Sequence, residues 1–289
     1  MTIQWFPGHM LETKKLLKAS VSKVDAVLEV LDARLPQGSA NPLVNSLCRD
    51  RAWIKVLNKS DLADPEITAL WLDYFNTRSN TRALAVCGSQ KKDTAKALNT
   101  CVSQIKRNKA RKIKVMVVGI PNTGKSTILN TLAGKKIAKT GNVPAVTRHQ
   151  QRTSLKNNID IYDTPGILWP VIEPRERALS LAASGAIADT ALDHYEVALF
   201  AADFLMAHYP DRLLERYSFL TKIPDEAGDL VEAIGASSGC LKKGGIVNIQ
   251  KASQLLIQDL RSGKIGRISF ETPDLDEMEN ENEIKSYTP

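Results

Sequence analysis

The stretch that decides the fold is KVMVVGIPNTGKS, residues 114–126. An apolar strand pattern runs directly into a loop of the form Gly-x-x-x-x-Gly-Lys-Ser, and helix-forming residues follow. In such a loop the glycines let backbone N–H groups turn inward around phosphates, and the N-terminus of the following helix adds a favourable dipole. The stretch therefore predicts a phosphate-binding loop at Gly119–Ser126, in the middle of the chain.

The side chains of this loop have separate expected roles. We expect Lys125 to reach the β- and γ-phosphates and the Ser126 hydroxyl to hold Mg²⁺. Further nucleotide contacts are expected from the rest of the loop and the start of the helix, at Asn122, Thr123, Gly124 and Thr127.

A second motif, Asp163-Thr164-Pro165-Gly166, follows a predicted strand at Ile159–Tyr162. A carboxylate in this place can bind Mg²⁺ through water, and the Gly166 N–H can meet a γ-phosphate. Taken alone, the motif is equally well explained as a Pro-Gly turn that ends a strand. Its position after the phosphate loop favours the nucleotide interpretation.

A third motif, Asn58-Lys59-Ser60-Asp61, follows a predicted strand at Ala52–Leu57. The Asp61 carboxylate can accept two hydrogen bonds from the N1–H and N2–H₂ edge of guanine, whereas adenine has no such pair of donors. A buried carboxylate that faces the wrong base loses both partners, so strong discrimination is expected. The alternative is an aspartate that caps a helix in a βα loop.

Together the three motifs resemble the guanine-nucleotide sites of Ras-like GTPases, but here the base-recognition motif comes before the phosphate loop. The order is circularly permuted. Permutation is tolerated because the same strands can be joined through different loops while the site stays in place.

The pattern of the remaining sequence predicts an α/β, doubly wound GTPase domain at residues 1–170, followed by a smaller, mainly helical domain at 171–270 and an acidic, disordered tail at 271–289. Apolar runs predict strands at Ala26–Leu31, Ala52–Leu57, Ala83–Val86, Ile113–Val118 and Ile159–Tyr162. Amphipathic patterns predict helices at Leu11–Ser22, Asn41–Arg49, Glu66–Phe75, Thr94–Lys106, Ser126–Leu132, Arg175–Asp189, His194–His208, Pro210–Tyr217 and Asn248–Ser262.

Composition narrows the class of protein. The 289 residues are 43% hydrophobic and 25% charged, and no run is long and apolar enough for a membrane span. The four cysteines lack the paired spacing of a zinc site or a disulfide framework. We expect a cytoplasmic monomer that contacts no membrane and no DNA.

The net charge of +7 understates how basic the body of the chain is, because residues 271–289 carry seven acids and one lysine. An excess of positive charge favours a polyanionic partner such as nucleic acid. Charge alone is explained equally well by solubility.

The order of the motifs, together with several other segments, resembles the ribosome biogenesis GTPase A family over nearly the whole chain. These segments are Trp5–Met10, Asp32–Pro36, Asp163–Pro170, Gly239–Leu241 and Arg261–Arg267. The resemblance implies a GTP hydrolase that assists late assembly of the large ribosomal subunit and binds its rRNA through the C-terminal domain. The alternatives are an RNA-binding assembly protein that uses nucleotide only as an affinity switch, and a P-loop ATPase or nucleotide kinase.

The same resemblance implies roles in hydrolysis. Thr147 matches the switch threonine that binds Mg²⁺ and senses the γ-phosphate, and Thr140 and Thr153 are weaker matches. Where Ras-like proteins have a water-orienting glutamine, this chain has Ile167, which cannot orient water. The resemblance puts His9 forward instead, as the catalytic residue beside Lys125, with a purely structural histidine as the alternative.

Two further assignments also follow from the resemblance. Asn122 matches an asparagine that coordinates K⁺ in related potassium-stimulated GTPases, although it is equally well explained as a loop-stabilising side chain. A second guanine-contacting loop is expected after the strand Ala83–Val86, at Cys87 and Gly88, where a cysteine stands in place of the usual small polar residue.

Overall fold

The structure is a computed structural model, and it describes residues 18–48, 51–77, 81–105, 111–137, 151–164, 166, 172, 174–187 and 193–273. Its strands are β1 (Ala26–Asp32), β2 (Ala52–Asn58), β3 (Arg82–Val86), β4 (Ile113–Val118), β5 (Gln151–Leu155) and β6 (Ile159–Asp163). They form one six-stranded sheet in the order β3-β2-β1-β4-β6-β5. All neighbouring strands pair in parallel except β5, which pairs antiparallel with β6 at one edge.

Helices cover both faces of this sheet. They are α1 (Pro42–Leu47), α2 (Pro65–Thr77), α3 (Lys91–Ser103) and α4 (Lys125–Ala133). Leu28 and Val30 of β1 face one core, which includes side chains of α3 and α4. Leu31 faces the opposite side, where α2 contributes Trp71. Because both faces are covered, β1, β2 and β4 are almost continuously apolar, as is usual for parallel strands. The predicted doubly wound sheet is confirmed.

The carboxyl ends of β1, β2, β4 and β6 meet along one edge of the sheet, because these strands are parallel. Asp32 and Asn58 end β1 and β2 and are directly paired in register. Val118 and Asp163 end β4 and β6 on the other side of β1. In open α/β sheets this edge is where ligands bind.

The C-terminal part of the chain is helical, with α5 (Arg175–Ser184), α6 (His194–His208), α7 (Pro210–Arg216), α8 (Ala227–Ser237) and α9 (Ile249–Arg261). These helices share one apolar core, which also takes in Leu35 and Ile120 from the loops after β1 and β4. The helical part therefore packs directly against the ligand edge of the sheet. In the part of the chain that the structure describes, no helix has the length and apolar character needed to cross a membrane.

The structure corrects three details of the predicted secondary structure. β5 was not predicted, because its sequence QRTSL is largely polar, as suits an edge strand. α8 was not predicted either, since it contains Gly228 and Gly235. The helix predicted at Arg175–Asp189 ends at Ser184, where Gly185 adopts a left-handed conformation.

The predicted disordered tail includes residues 271–273, which the structure describes. Glu271, its first predicted residue, is bound to the GTPase part through the backbone N–H of Gly38. Residues 274–289 lie outside the described part of the chain.

Candidate functional site

The phosphate loop connects β4 to α4 and is closed by its own side chains. Thr123 Oγ1 donates to the Ile120 carbonyl at 3.1 Å, and Lys125 Nζ donates to the same oxygen at 2.6 Å. Asn122 and Gly124 have φ values of 58° and 91°, which turn the loop back on itself. The loop thus forms a tight cradle at the start of α4, where backbone N–H groups are available to an anion.

Lys125 is almost completely buried beneath this cradle. Burial lowers the pKa of its ammonium group to about 8; the Asp163 carboxylate opposes this shift, and the Lys59 cation adds to it. A buried lysine whose proton is held this weakly is stabilised by an added anion. The electrostatics of the cradle therefore favour a phosphate-bearing ligand.

The Asp163-Thr164-Pro165-Gly166 motif lies against the same loop. Asp163 ends β6 and is buried, and Thr164 Oγ1 donates to the Val117 carbonyl of β4 at 2.7 Å. The Gly166 backbone approaches Pro121 so closely that a Cβ atom there would lie 2.8 Å from the Pro121 nitrogen. Asp163, Thr164 and Gly166 thus lie next to the phosphate loop.

The base-recognition motif reaches the phosphate loop from the other side. Asn58 ends β2, and its Nδ2 donates to the Thr123 carbonyl at 2.7 Å across 65 residues of sequence. The Ser60 N–H donates to the Val86 carbonyl at the end of β3, and Asp61 is exposed. Asn58 therefore fixes the distance between the predicted base and phosphate subsites.

The loop after β3 completes the site. Gly88 lies beside the Asn58 side chain, and its carbonyl accepts a hydrogen bond from Thr131 Oγ1 of α4 at 2.8 Å. The half-buried Cys87 is oriented by its N–H, which donates to Asp93 Oδ2 at 3.1 Å. The three loops at Asn58–Asp61, Cys87–Gly88 and Gly119–Ser126 meet at one place.

Other predicted residues are placed differently. Thr127 lies in α4, half-buried, and Thr153 lies in β5, where it pairs with Ile161. Asn122 points toward the helical part, where its Nδ2 donates to the Gly185 carbonyl at 2.7 Å. His9, Thr140, Thr147 and Ile167 lie outside the described residues.

The arrangement also fits a magnesium ion whose main ligands are the phosphates of a bound nucleotide. Within the described ranges no group of three or more His, Cys, Asp and Glu side chains is placed to hold a metal. Ser126 and Asp163 instead flank the phosphate cradle at the ends of neighbouring elements. A hydroxyl and a carboxylate are oxygen donors, which Mg²⁺ prefers, and the ion usually keeps substrate phosphates and water as its other ligands.

Asp32 and Arg34 lie behind the base-recognition loop, and the sequence motifs gave neither of them a role. Arg34 binds Asp32 through Nε and Nη2, and Lys59 Nζ also binds Asp32, at 2.8 Å. The signal in the sequence was a pair of charged residues directly after an apolar strand. Lys59, the other partner of Asp32, is 27 residues further along the chain.

Comparisons with known proteins agree with this geometry. A family model described as 50S ribosome-binding GTPase matches residues 114–223. Ribosome biogenesis GTPase A of Priestia megaterium is 41% identical over 283 residues, which cover 94% of this chain and 98% of that protein. The protein of the same name from Thermotoga maritima is 31% identical over 94% of this chain and 95% of its own length.

Solved structures show the same similarity. The GDP-bound structure of TM YlqF superposes with a TM-score of 0.67 at 29% identity, covering 89% of this chain and 99% of that chain. GNP-bound YlqF from T. maritima gives a TM-score of 0.66 at 28% identity, over 91% and 99% of the two chains.

Proposed function

The chain belongs to the ribosome biogenesis GTPase A family and is a GTP hydrolase; from this premise we propose that it binds the large ribosomal subunit or its precursor and promotes a late step of assembly. The observation that carries the proposal is the similarity to ribosome biogenesis GTPase A over 94% of this chain. The Asn58–Thr123 hydrogen bond supports the nucleotide site on which it depends, because it joins a guanine-type recognition loop to a phosphate loop. The site packs against the helical part, and the chain as a whole is basic. Both features support a polyanionic partner whose binding depends on the nucleotide.

In the proposed site, Asp61 accepts hydrogen bonds from guanine, and the backbone at Cys87 and Gly88 supplies a second contact to the base. Lys59 packs near the base, next to Ser60. The phosphates lie in the cradle of Asn122, Thr123, Gly124, Lys125, Ser126 and Thr127, and Gly166 contacts the γ-phosphate. Burial of Lys125 supports this arrangement, because an anionic ligand stabilises the charged form of a buried lysine.

Hydrolysis proceeds by in-line attack of water on the γ-phosphate. Lys125 stabilises the charge that develops on the phosphate oxygens, and His9 orients the water. Ser126, Thr147 and Asp163 would hold Mg²⁺, which when bound neutralises charge on the β- and γ-phosphates. Asn122 would contribute an oxygen ligand to K⁺.

The helical part binds rRNA in this proposal, and loss of the γ-phosphate reaches it through Gly166 and the segment that leads into α5. The site of action is the cytoplasm, with a monomer on the subunit and no DNA or membrane contact. Because the chain has no glutamine after the Pro-Gly turn, we expect slow hydrolysis by the free protein and faster hydrolysis with large subunits.

The partner is tested by sedimentation with purified ribosomal subunits in GDP and in a non-hydrolysable GTP analogue. We expect the protein to pellet with the large subunit and to do so more with the analogue. If the protein pellets with the large subunit in neither nucleotide state, the large subunit is not its partner. If GTP turnover is the same with and without large subunits, the subunit does not stimulate hydrolysis.

The base assignment is tested with Asp61→Asn. An asparagine offers one acceptor and one donor, so it should weaken the binding of guanine nucleotides. It should favour the binding of xanthine nucleotides, because their C2 carbonyl can accept from the amide. Competition against a fluorescent GDP measures the change. Unchanged preference for guanine would remove Asp61 from the base contact.

The need for hydrolysis is tested by His9→Ala against Lys125→Ala. The histidine change should spare nucleotide binding and still block subunit maturation. Normal maturation with His9→Ala would mean that nucleotide serves only as an affinity switch.

A further inference from the structure

A buried cluster of charges lies behind the predicted base-recognition loop. Asp32 accepts from Arg34 Nε at 2.9 Å and Arg34 Nη2 at 2.8 Å, and from Lys59 Nζ at 2.8 Å. Asp32 and Arg34 are each 1% exposed. Although burial opposes ionisation, the two cations hold the pKa of the Asp32 carboxyl well below its usual range. The Asp32 carboxyl is therefore ionised at neutral pH. Burial lowers the pKa of the Lys59 ammonium group, and the Asp32 carboxylate opposes that shift.

Beside this cluster, the backbone of the base-recognition loop is also bonded to the residue that follows β1. The Ala33 N–H donates to the Asn58 carbonyl at 2.7 Å, and Lys59 has a left-handed φ of 62°. Such a conformation is unfavourable for a non-glycine residue, and it persists only where the surroundings hold it. In this conformation Lys59 Nζ is bound to Asp32, two residues before Asp61.

The other side of the cluster is bound to the helical part. Arg34 Nη2 also donates to the Ser184 carbonyl at 2.9 Å, at the C-terminal end of α5. The next carbonyl, that of Gly185, accepts from Asn122 in the phosphate loop. The end of α5 is thus connected to the base loop through Arg34 and Asp32, and to the phosphate loop through Asn122.

We propose that Asp32 and Arg34 are positioning residues for guanine recognition, and that Arg34 couples occupancy of the base-recognition loop to the end of α5. Asp32 fixes Lys59 and so the loop that carries Asp61, while the same carboxylate orients the guanidinium that binds Ser184. A shift of the loop on nucleotide binding must then move or strain the Arg34 contact, since buried charged partners separate only at a high cost. The proposal rests on the proposed assignment of Asn58–Asp61 to the base.

The chain contains a matched control for this ion pair. Glu29 and Lys55 also join β1 to β2 at 2.8 Å, and both are buried. Glu29 also accepts a hydrogen bond from Trp53 Nε1 at 3.1 Å. This pair lies within the sheet, three residues before Asp32 along β1. Neutralising Glu29 removes a buried carboxylate–lysine pair that joins β1 to β2 away from the base-recognition loop.

The experiment compares Asp32→Asn with Glu29→Gln by GDP titration and by steady-state GTP hydrolysis. For Asp32→Asn we expect the Kd for GDP and the KM for GTP to rise about ten-fold, the equivalent of one charge-assisted hydrogen bond, with kcat within about two-fold of the parent. Glu29→Gln should lower thermal stability and leave Kd and KM unchanged. Parental Kd in Asp32→Asn, or an equal rise in Glu29→Gln, would overturn the positioning role.

Arg34→Lys tests the coupling, and it serves even if Asp32→Asn does not fold. A lysine can keep one bond to Asp32 but cannot also reach Ser184 in the forked geometry of a guanidinium. Hydrogen exchange of the Gly185 and Ala186 amides, which bond to the last turn of α5, should slow on GDP binding in the parent and lose at least half of that effect in Arg34→Lys. Equal GDP-dependent protection in both proteins would overturn the coupling.

Asp61→Asn separates this inference from the proposed function. If guanine preference survives that change, the base assignment fails and the inference fails with it. If Asp61→Asn alters the preference but Asp32→Asn binds GDP like the parent, only the positioning role is wrong.

Discussion

Gly124 shows how closely single residues are fitted in this site. It is the N-cap of α4, with a φ of 91°, and a Cβ atom added there would lie 2.2 Å from Asn58 Nδ2. Gly124→Ala should therefore expel the Asn58 amide from its hydrogen bond to Thr123 and strain the backbone. We expect at least about a hundred-fold loss of GDP affinity, because the lost hydrogen bond and the backbone strain should each lower the affinity by roughly ten-fold or more.

Gly134 provides the control at the other end of the same helix. It is the C-cap of α4, also left-handed with a φ of 66°, but nothing lies within 4 Å of an added Cβ. Gly134→Ala should cost about 1 kcal/mol of stability and leave nucleotide affinity unchanged. Calorimetry with GDP measures both variants, and equal affinities for Gly124→Ala and the parent would contradict the expected fit.

The buried Lys125 predicts a pH dependence. Its pKa of about 8 lies below the 10.5 of an unfolded lysine, so above pH 8 the nucleotide-free protein loses this charge, and GDP binding must take up a proton. The Kd for GDP should rise about ten-fold per pH unit above 8. Since the unfolded chain holds the proton more tightly, the free energy of unfolding of the nucleotide-free protein should instead rise from pH 8 to 9.

Titrations with fluorescent GDP between pH 7 and pH 9.5 test this prediction. Lys125→Arg is the control, because a guanidinium stays charged throughout this range and should give a flat profile. A flat profile in the parent protein would mean that Lys125 keeps its proton without a phosphate.

The residues that could be predicted from the sequence are those whose chemistry is local. The motifs at Gly119–Ser126 and Asn58–Asp61 carry their spacing in consecutive residues, and the structure brings them together. The role of Arg34 could not be predicted in this way, since its partner Ser184 is 150 residues away. Contacts of that kind depend on how the helical part packs, which no local pattern encodes.

At the scale of elements, the sequence predicted strands and helices with a continuous apolar face. It failed where packing overrides local preference. Gly235 is inside α8, where a Cβ atom would lie 2.6 Å from Val247 Cγ1, so the glycine is there to allow close contact and not to end a helix. β5 is polar and is recognisable as a strand only through its pairing with β6.

The C-terminal end of α5 depends on Arg261, which ends α9. Arg261 Nε donates to the Ala183 carbonyl at 3.2 Å, and Nη2 donates to the Ala182 carbonyl at 2.8 Å. Arg261→Ala leaves these helix-end carbonyls without their charged donor, so the free energy of unfolding should fall by about 2 kcal/mol. Urea denaturation followed by circular dichroism measures the loss.

Arg175, at the opposite end of α5, is the matched control. Its ion pair with Glu196 of α6 is exposed, and an exposed pair contributes little. Arg175→Ala should therefore change the free energy of unfolding by less than about 1 kcal/mol. Equal losses for the two arginines would show that α5 is not held mainly at its C-terminal end.

At the scale of the whole molecule, the chain returns from the helical part to the GTPase part after α9. The Ile268 N–H donates to the Leu62 carbonyl at 2.9 Å, and the Phe270 N–H donates to the Arg34 carbonyl at 2.7 Å. Trp71 Nε1 binds the Glu271 carbonyl at 3.0 Å. Residues 268–271 therefore form a clasp, a segment that ties the two parts together beside the base-recognition loop.

The carboxyl group of Glu271 makes this clasp sensitive to pH. Burial raises its pKa from 4.5 to about 7; backbone N–H groups of Gly38 and Gln37 and the Arg177 cation oppose the shift. The folded protein thus binds a proton more tightly than the unfolded chain between pH 4.5 and pH 7. The stabilising effect of that proton is full below pH 4.5 and is lost as the pH rises through 7.

Glu271→Gln should therefore stabilise the protein at pH 8 and not at pH 4.5. A glutamine keeps an acceptor for the Gly38 and Gln37 amides but never becomes a buried anion, so we expect a gain of about 1–2 kcal/mol at pH 8. Urea denaturation at the two pH values measures this, with Glu232→Gln on the exposed face of α8 as a control that should show no difference. If Glu271→Gln is less stable than the parent at pH 8, the ionised carboxylate itself stabilises the clasp through Arg177 and the backbone amides.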